Sequence, residues 1–419
     1  MSTGQAGFLQ QRGANPLPPT QGGEEKAPDR GTAEESNPAT PVTAFSIPAN
    51  PLVPPLFGFF VDGVQRTVPI AEVSINGIRV PIHMAHVAAG AMLREDRELR
   101  PILIQQAMVL LLPYQALAGA MPVEWGQIAP PGRALSAAGD IYDAVRSTSF
   151  GDEFYSDTSV NLRQQGEVSL TPGDLVLTGR IRSSALNRAT ELMRILELGV
   201  IWDLRQQYPD KWILLDGPIA PLTKYARLAA PALQGLQGIA NPPEAFDFLR
   251  RVVGAVKEVT VVPSSGLEQA LQLTPDLVTI PVFRFGEVVQ QQEEIAKEVL
   301  SAYVWLRREL AAELSPIWSA VSGLARFDVA LPAVLPDDTN TRNTWNTLED
   351  EQIAALVQPS ELSGQRLRQI LEQIILERWP VPPSTPMRVF VELYPIAETE
   401  LWLMASLYDA MEIRARGIA

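Results

Sequence analysis

Residues 57–63 read Phe-Gly-Phe-Phe-Val-Asp-Gly and residues 212–217 read Trp-Ile-Leu-Leu-Asp-Gly, two runs of large apolar residues that each end in Asp-Gly. A short apolar run bounded by a turn dipeptide predicts a buried strand closed by a turn. At the carboxyl ends of such strands, Asp62 and Asp216 have their backbones fixed by a sheet. Their side chains then project into the crevice beyond the strand ends, where ligands of open sheets sit. Asp-Gly is also an ordinary turn dipeptide, but the chain holds only these two, and their matched settings mark them as a pair able to share a metal ion.

Outward from the first run, residues 67–75 and 78–83 are strand-like and flank Asn76-Gly77, the dipeptide best suited to a type I′ hairpin turn. The opening is therefore predicted as three consecutive antiparallel strands. Helical periodicity is read from about Ala85 to Leu117. The longest apolar stretch, 101–121, is interrupted by Gln105, Gln106, Pro113 and Gln115, so it is read as a buried helix and a turn and not as a bilayer span. Residues 184–207 form a long helical pattern with Ala185, Ala189, Leu192, Met193, Leu196, Val200, Ile201 and Leu204 on one face. Further strands are expected at 258–262, 277–285 and 389–393, and helices near 287–309, 363–378 and 398–414. The fold class is α/β: a mixed sheet with antiparallel opening strands and flanking helices.

Residues 1–50 are rich in Pro, Gly, Ser, Thr, Gln and Glu and are expected to be a disordered acidic tail; 51–419 are expected to form one domain. Cysteine is absent from the 419 residues, which excludes disulfides, thiolate metal sites and cysteine nucleophiles and fits a reducing compartment. With no basic stretch leading into an apolar one at the start, a cytoplasmic protein with no membrane segment is expected. The net charge of −14 argues against generic attraction to a polyanion. Any nucleic-acid contact must be local. Residues 180–258 carry eleven basic and eight acidic side chains, a local excess of three positive charges, which is either a confined basic surface or a solvated helix face.

A third carboxylate stands at Glu197, within or beside the apolar stripe of the long helix, with Met193, Val200, Ile201 and Leu204 as helical neighbours. A carboxylate there needs a cation or strong donors, so Glu197 is read as a metal ligand, with an arginine pair as the alternative. Hard carboxylate oxygens suit magnesium or manganese, which serve in-line phosphoryl transfer. The two histidines, His83 and His86, have no thiolate or third nitrogen ligand nearby and are read as packing or surface residues. No G-x-x-x-x-G-K-[ST] loop is present.

Taken in order, Phe59-Phe60-Val61-Asp62-Gly63, the helix around Glu197, residues 212–218 ending in Asp216-Gly217-Pro218, and Gly254-Ala255-Val256-Lys257 resemble the NurA nuclease family. The resemblance covers roughly residues 52–419 and is strongest at 185–260. It implies an RNase H-like core, a homodimer, and manganese-dependent (or magnesium-dependent) cleavage of DNA alongside the hexameric ATPase HerA in DNA end processing. It places Asp62, Glu197 and Asp216 at the family's acidic metal ligands and Lys257 at a DNA phosphate contact. The sequence departs from the family in its closing motif: no histidine follows His86, and Tyr394-Pro395 is the remnant. That departure leaves open a second reading, a catalytically impaired NurA-like subunit that docks the ATPase or guides DNA. An actin-like or sugar-kinase-type ATPase would need paired glycine-rich phosphate turns, which are not seen.

Overall fold

The computed structural model describes residues 54–121, 130, 132–135, 154–160, 168–219, 242–257, 278–284, 299–306, 324–358, 360–378 and 392–418, together with 9, 14–16 and 45–46. The strands are β1 (Ala14–Pro16), β2 (Phe45–Ser46), β3 (Phe57–Ile75), β4 (Ile78–Glu95), β5 (Glu98–Leu112), β6 (Arg133–Ala134), β7 (Phe154–Asp157), β8 (Trp212–Asp216), β9 (Val252–Val256), β10 (Val278–Arg284), β11 (Val299–Trp305) and β12 (Leu324–Ala330). Among the described residues they form one mixed sheet in the order β2-β10-β11-β12-β9-β8-β3-β4-β5-β7-β6, with β1 added on β3. Parallel pairs β3–β8 and β8–β9 lie at its centre, with antiparallel strands on both sides.

The sheet is built around two tight hairpins. Asn76 and Gly77 adopt φ 49° and 85° between β3 and β4, the pair of positive values a type I′ turn requires. Asp96, at φ 56°, turns β4 into β5; aspartate tolerates this region because its short polar side chain can bond locally. Pro69 cannot donate to a ladder, and the β3–β4 register shifts between Pro69 and Ala71, as expected of proline at a bulge.

Three expectations are corrected here. Asp62-Gly63 is not a turn: β3 runs unbroken through it, with Asp62 opposite Gly90 and Gly63 opposite Ala89 on β4. Residues 85–112 are not helical: they belong to β4 and β5, and helix begins only at Tyr114. β4 is almost wholly buried from Val80 to Met92, so both faces are apolar and no alternation survives to announce a strand. Residues 299–305, read as part of a helix, are the fully buried strand β11 for the same reason; the remainder of that reading, at 287–298, lies outside the described residues, as does the strand expected at 258–262. The strand expected at 389–393 is described only at its last two positions, where Leu393 bridges Arg378.

The long helix α1 (Thr178–Gln207) packs across β3, β4 and β5 and buries Ala185, Ala189, Leu192, Leu196 and Leu204 against Val61, Ala89 and Leu215. Helix α2 (Pro242–Leu249) precedes β9, and α3 (Leu362–Leu376) leads to Glu377, whose carboxylate takes a bidentate bond from Arg94 of β4 at 2.6 and 2.5 Å. Helix α4 (Tyr394–Ser406) packs on β3 and β4, where Leu403 and Leu407 meet Val64 and Ala88. Tyr394-Pro395 opens α4, with proline at the first turn, where its missing N–H costs nothing. The tail at 1–50 is not wholly separate from the domain, since Leu9 is buried, β1 pairs with Ala71–Val73 and β2 pairs with β10. No helix among the described residues is long and apolar enough to cross a membrane.

Candidate metal centre

The parallel register of β3 and β8 sets Phe60 beside Leu214 and Val61 beside Leu215, which brings Asp62 and Asp216 side by side at the next position. Side chains alternate between the faces of a strand, and the faces here are unequal. A Cβ on Gly63 would meet Glu197 Oε1 at 2.5 Å and Met193 Cγ at 2.6 Å, so residue 63 faces α1. Asp62 therefore faces the other side. There its partner Gly90 leaves room for α4, since a Cβ on Gly90 would lie 2.8 Å from Leu403 and Trp402.

The third carboxylate of the cluster comes from α4. Oxygens of Asp62, Asp216 and Glu400 all lie within 4.8 Å of one another. Lys257, immediately after β9, closes the group: its Nζ is 3.2 Å from Asp216 Oδ2, 3.1 Å from Glu392 Oε1 and 3.8 Å from Glu400 Oε2. Glu392, just ahead of α4, and Glu400 were not found from sequence. Nothing in their local pattern distinguishes them from surface glutamates, and only the packing of α4 over β3 brings them here.

Glu197 is not in this group. It lies on the α1 side of the sheet, fully buried, where Arg194 Nη1 donates to both of its oxygens at 2.9 and 2.7 Å and to the carbonyl of Asp216 at 2.9 Å. The arginine pair is thus the arrangement observed, and the period-two alternation of β3 is what separates Glu197 from Asp62. Arg194 links the two sides by fixing the backbone of Asp216. Lys257 is likewise engaged with carboxylates.

The electrostatics follow from burial. Asp62 is 4% exposed, and the hydrogen bond to its carboxylate comes from the N–H of Gly63 at 2.7 Å. Burial, and then the nearby charge of Asp216, push its carboxyl well above the usual range, against the pull of Lys257. Burial pushes Glu197 up to about 7, with Arg194 opposing. A carboxyl raised in the folded state stabilises the fold in its protonated form, so that contribution is complete below the ordinary value of 4.5 and lost as pH rises through about 7. In the presence of a chelator, stability is expected to fall across this window by about 3 kcal/mol on account of Glu197. Denaturant titrations at a series of pH values check this, and a flat profile would show Glu197 to be ionised throughout.

Gly63→Ala is expected to cost about 1–3 kcal/mol through overpacking against α1, because Glu197 is held by Arg194 and cannot yield freely. Thermal denaturation reads this directly, and an unchanged midpoint would mean that α1 shifts to accept the methyl group.

His83 and His86 are both buried in β4. His86 Nδ1 accepts the N–H of Tyr408 at 3.0 Å, and burial lowers its pKa to about 4. They are packing residues and stand outside the carboxylate group. Of the eleven basic residues in 180–258, Arg188, Arg205 and Lys257 are buried, so part of that local excess is internal; Lys224 and Arg227 lie outside the described residues.

No family model matches the sequence, and no curated protein matches it. Among solved structures, the crystal structure of the NurA nuclease from Sulfolobus solfataricus is similar over 88% of this chain and 84% of that one, with 10% identity and a TM-score of 0.37.

Proposed function

We propose that the chain is a metal-dependent nuclease that hydrolyses phosphodiester bonds in DNA, with an RNase H-like core and with Asp62, Asp216 and Glu400 holding manganese or magnesium. The observation that carries this reading is the convergence of three carboxylates from β3, β8 and α4 within 4.8 Å. The residues fit such an ion. Their donors are hard oxygens of the type that manganese and magnesium accept. Asp62 is also a buried carboxylate whose ionisation is opposed by burial and by Asp216, and a divalent cation would relieve both. Once bound, the ion supplies positive charge for the phosphate and acidifies water.

The chain's own residues do the rest. Lys257 offsets part of the cluster's negative charge and would meet an entering phosphate. Arg194, set by Glu197, fixes the carbonyl of Asp216 and so the direction of its side chain. The resemblance of the sequence motifs to the NurA family supports DNA as the substrate, a homodimer as the assembly and a HerA-type hexameric ATPase as the partner.

One observation favours a second reading. Lys257 Nζ, 3.2 Å from Asp216, lies where it partly replaces the charge of an ion, as it would in an impaired subunit that keeps the fold for docking or DNA guiding. Cleavage of end-labelled linear DNA with manganese, with and without a HerA-type ATPase, separates the two. The nuclease reading expects cleavage by the parent protein and its loss in Asp62→Ala and Glu400→Gln. A folded protein that cleaves under neither condition supports the docking subunit.

A further inference from the structure

β8 and β9 have a second end, away from the carboxylates. Their five residues, at about 3.3 Å each, put Trp212 and Arg251 roughly 13 Å from the carboxylates, at the amino ends of the strands. A cavity of about 560 Å³ opens there, lined among others by Trp202, Arg205, Asp247, Phe248, Arg251 and Arg342. Its lining holds four guanidinium groups, counting Arg250, against three carboxylates, counting Asp210 and Glu244.

The most enclosed of these guanidinium groups is that of Arg205. Its side chain is 7% exposed and is held by backbone carbonyls: those of Pro209 at 2.8 Å, Lys211 at 3.2 Å and Asp247 at 2.8 Å. Its buried Nε–H has no acceptor. Among the described residues no carboxylate lies within ion-pairing distance of it. Burial first, and then the neighbouring charges of Arg251 and Arg250, lower its pKa to about 10, with Asp247 and Asp210 opposing. The other arginines are paired, but with partners that water also reaches: Arg251 bonds Asp210, 89% exposed, at 2.8 Å, Arg342 bonds Asp247, 50% exposed, and Asp337, 44% exposed, at 3.1 Å, and Arg250 bonds Asp337 at 2.6 Å. Such pairs are weak and give way to a stronger anion. The rings of Trp202 and Phe248, centroids 5.9 Å apart, add aromatic surface to the same lining.

We propose that this cavity binds a nucleoside phosphomonoester, with the phosphate on Arg251 and Arg342 in the field of Arg205 and the base along the wall at Trp202. Guanidinium forks match phosphate oxygens in pairs, aromatic and arginine planes accept bases, and the volume falls within the usual range for small-molecule sites. The site is independent of the nuclease reading, because none of its residues belongs to the carboxylate cluster. Two sources share this chemistry: a free nucleotide and the 5′ end of a nucleic-acid strand.

The test is calorimetric titration of the full chain, in chelator, with AMP, adenosine, inorganic phosphate, and an oligonucleotide with or without a 5′ phosphate. AMP is expected to bind, and adenosine at least about tenfold more weakly. Arg251→Gln and Arg342→Gln are each expected to weaken AMP about tenfold or more at unchanged melting temperature, while Asp216→Asn binds as the parent does. A phosphorylated oligonucleotide tighter than AMP supports the site with a strand end as its source, and the reverse order supports it with a free nucleotide. Equal binding of AMP and adenosine, inorganic phosphate as strong as AMP, indifference to both arginine variants, or no binding at all would each overturn the proposal.

Discussion

Asp216→Asn is expected to reduce metal-dependent DNA cleavage by at least about a thousandfold while leaving the fold intact. Amide and carboxylate are nearly the same shape, and the backbone of Asp216 is fixed independently by β8, by β9 and by Arg194. What changes is charge. The variant removes the negative charge of one of the three groups whose oxygens converge within 4.8 Å, and with it the manganese affinity that ionised ligands supply. Two measurements check this together: the single-turnover cleavage rate, and the rise in melting temperature when manganese is added to chelated protein. The parent is expected to gain stability with manganese and the variant to gain little. Equal gains in both would remove Asp216 from the ion, and full activity in the variant would remove it from the mechanism.

Lys257→Met is expected to have the largest effect on stability, about 3–5 kcal/mol lost near neutral pH without metal, because it removes a buried cation that opposes the buried carboxylate of Asp62 and pairs with the mostly buried carboxylates of Asp216 and Glu392. Lys257 lies within ion-pairing distance of Asp216, Glu392 and Glu400, and it also opposes the upward shift of Asp62. Acidification should restore much of the loss by protonating those carboxyls, and manganese should restore it at constant pH by supplying the missing charge. Denaturant unfolding at neutral and acidic pH reads the effect. A loss that neither acid nor manganese reverses would mean that the lysine stem, through its packing, is what holds this region together.

The sequence reveals strands where one face differs from the other or a turn dipeptide marks the end. The hairpin at Asn76-Gly77, the buried strand 212–216 and the helix over 184–207 were all legible for those reasons. β4 and β5 were not. Residues 87–92, Val-Ala-Ala-Gly-Ala-Met, and 105–112, Gln-Gln-Ala-Met-Val-Leu-Leu-Leu, are rich in good helix formers, and position in the middle of the sheet overrides that preference. The site divides in the same way. Asp62 and Asp216 were found because each closes an apolar run. Glu197 is read from sequence as a metal ligand with an arginine pair as the alternative, and the structure places it on Arg194; which face of β3 it meets depends on a register that local sequence does not carry. Glu400 has no local signal, because its role is set by a helix lying across strands more than 300 positions earlier in the chain (400 minus 62 is 338).

That separation orders the assembly of the site in time. A polypeptide made at roughly 5–20 residues per second displays Asp62 for something like 17 to 70 s before Glu400 is added. For the first 154 positions of that interval the nascent chain holds one carboxylate of the three, and for the remaining 184 it holds two, so the proposed metal site cannot be completed while its own messenger is still being read as far as this helix. Translation products arrested before and after residue 400, probed for protection from proteolysis by manganese, are expected to show that protection only in the longer set.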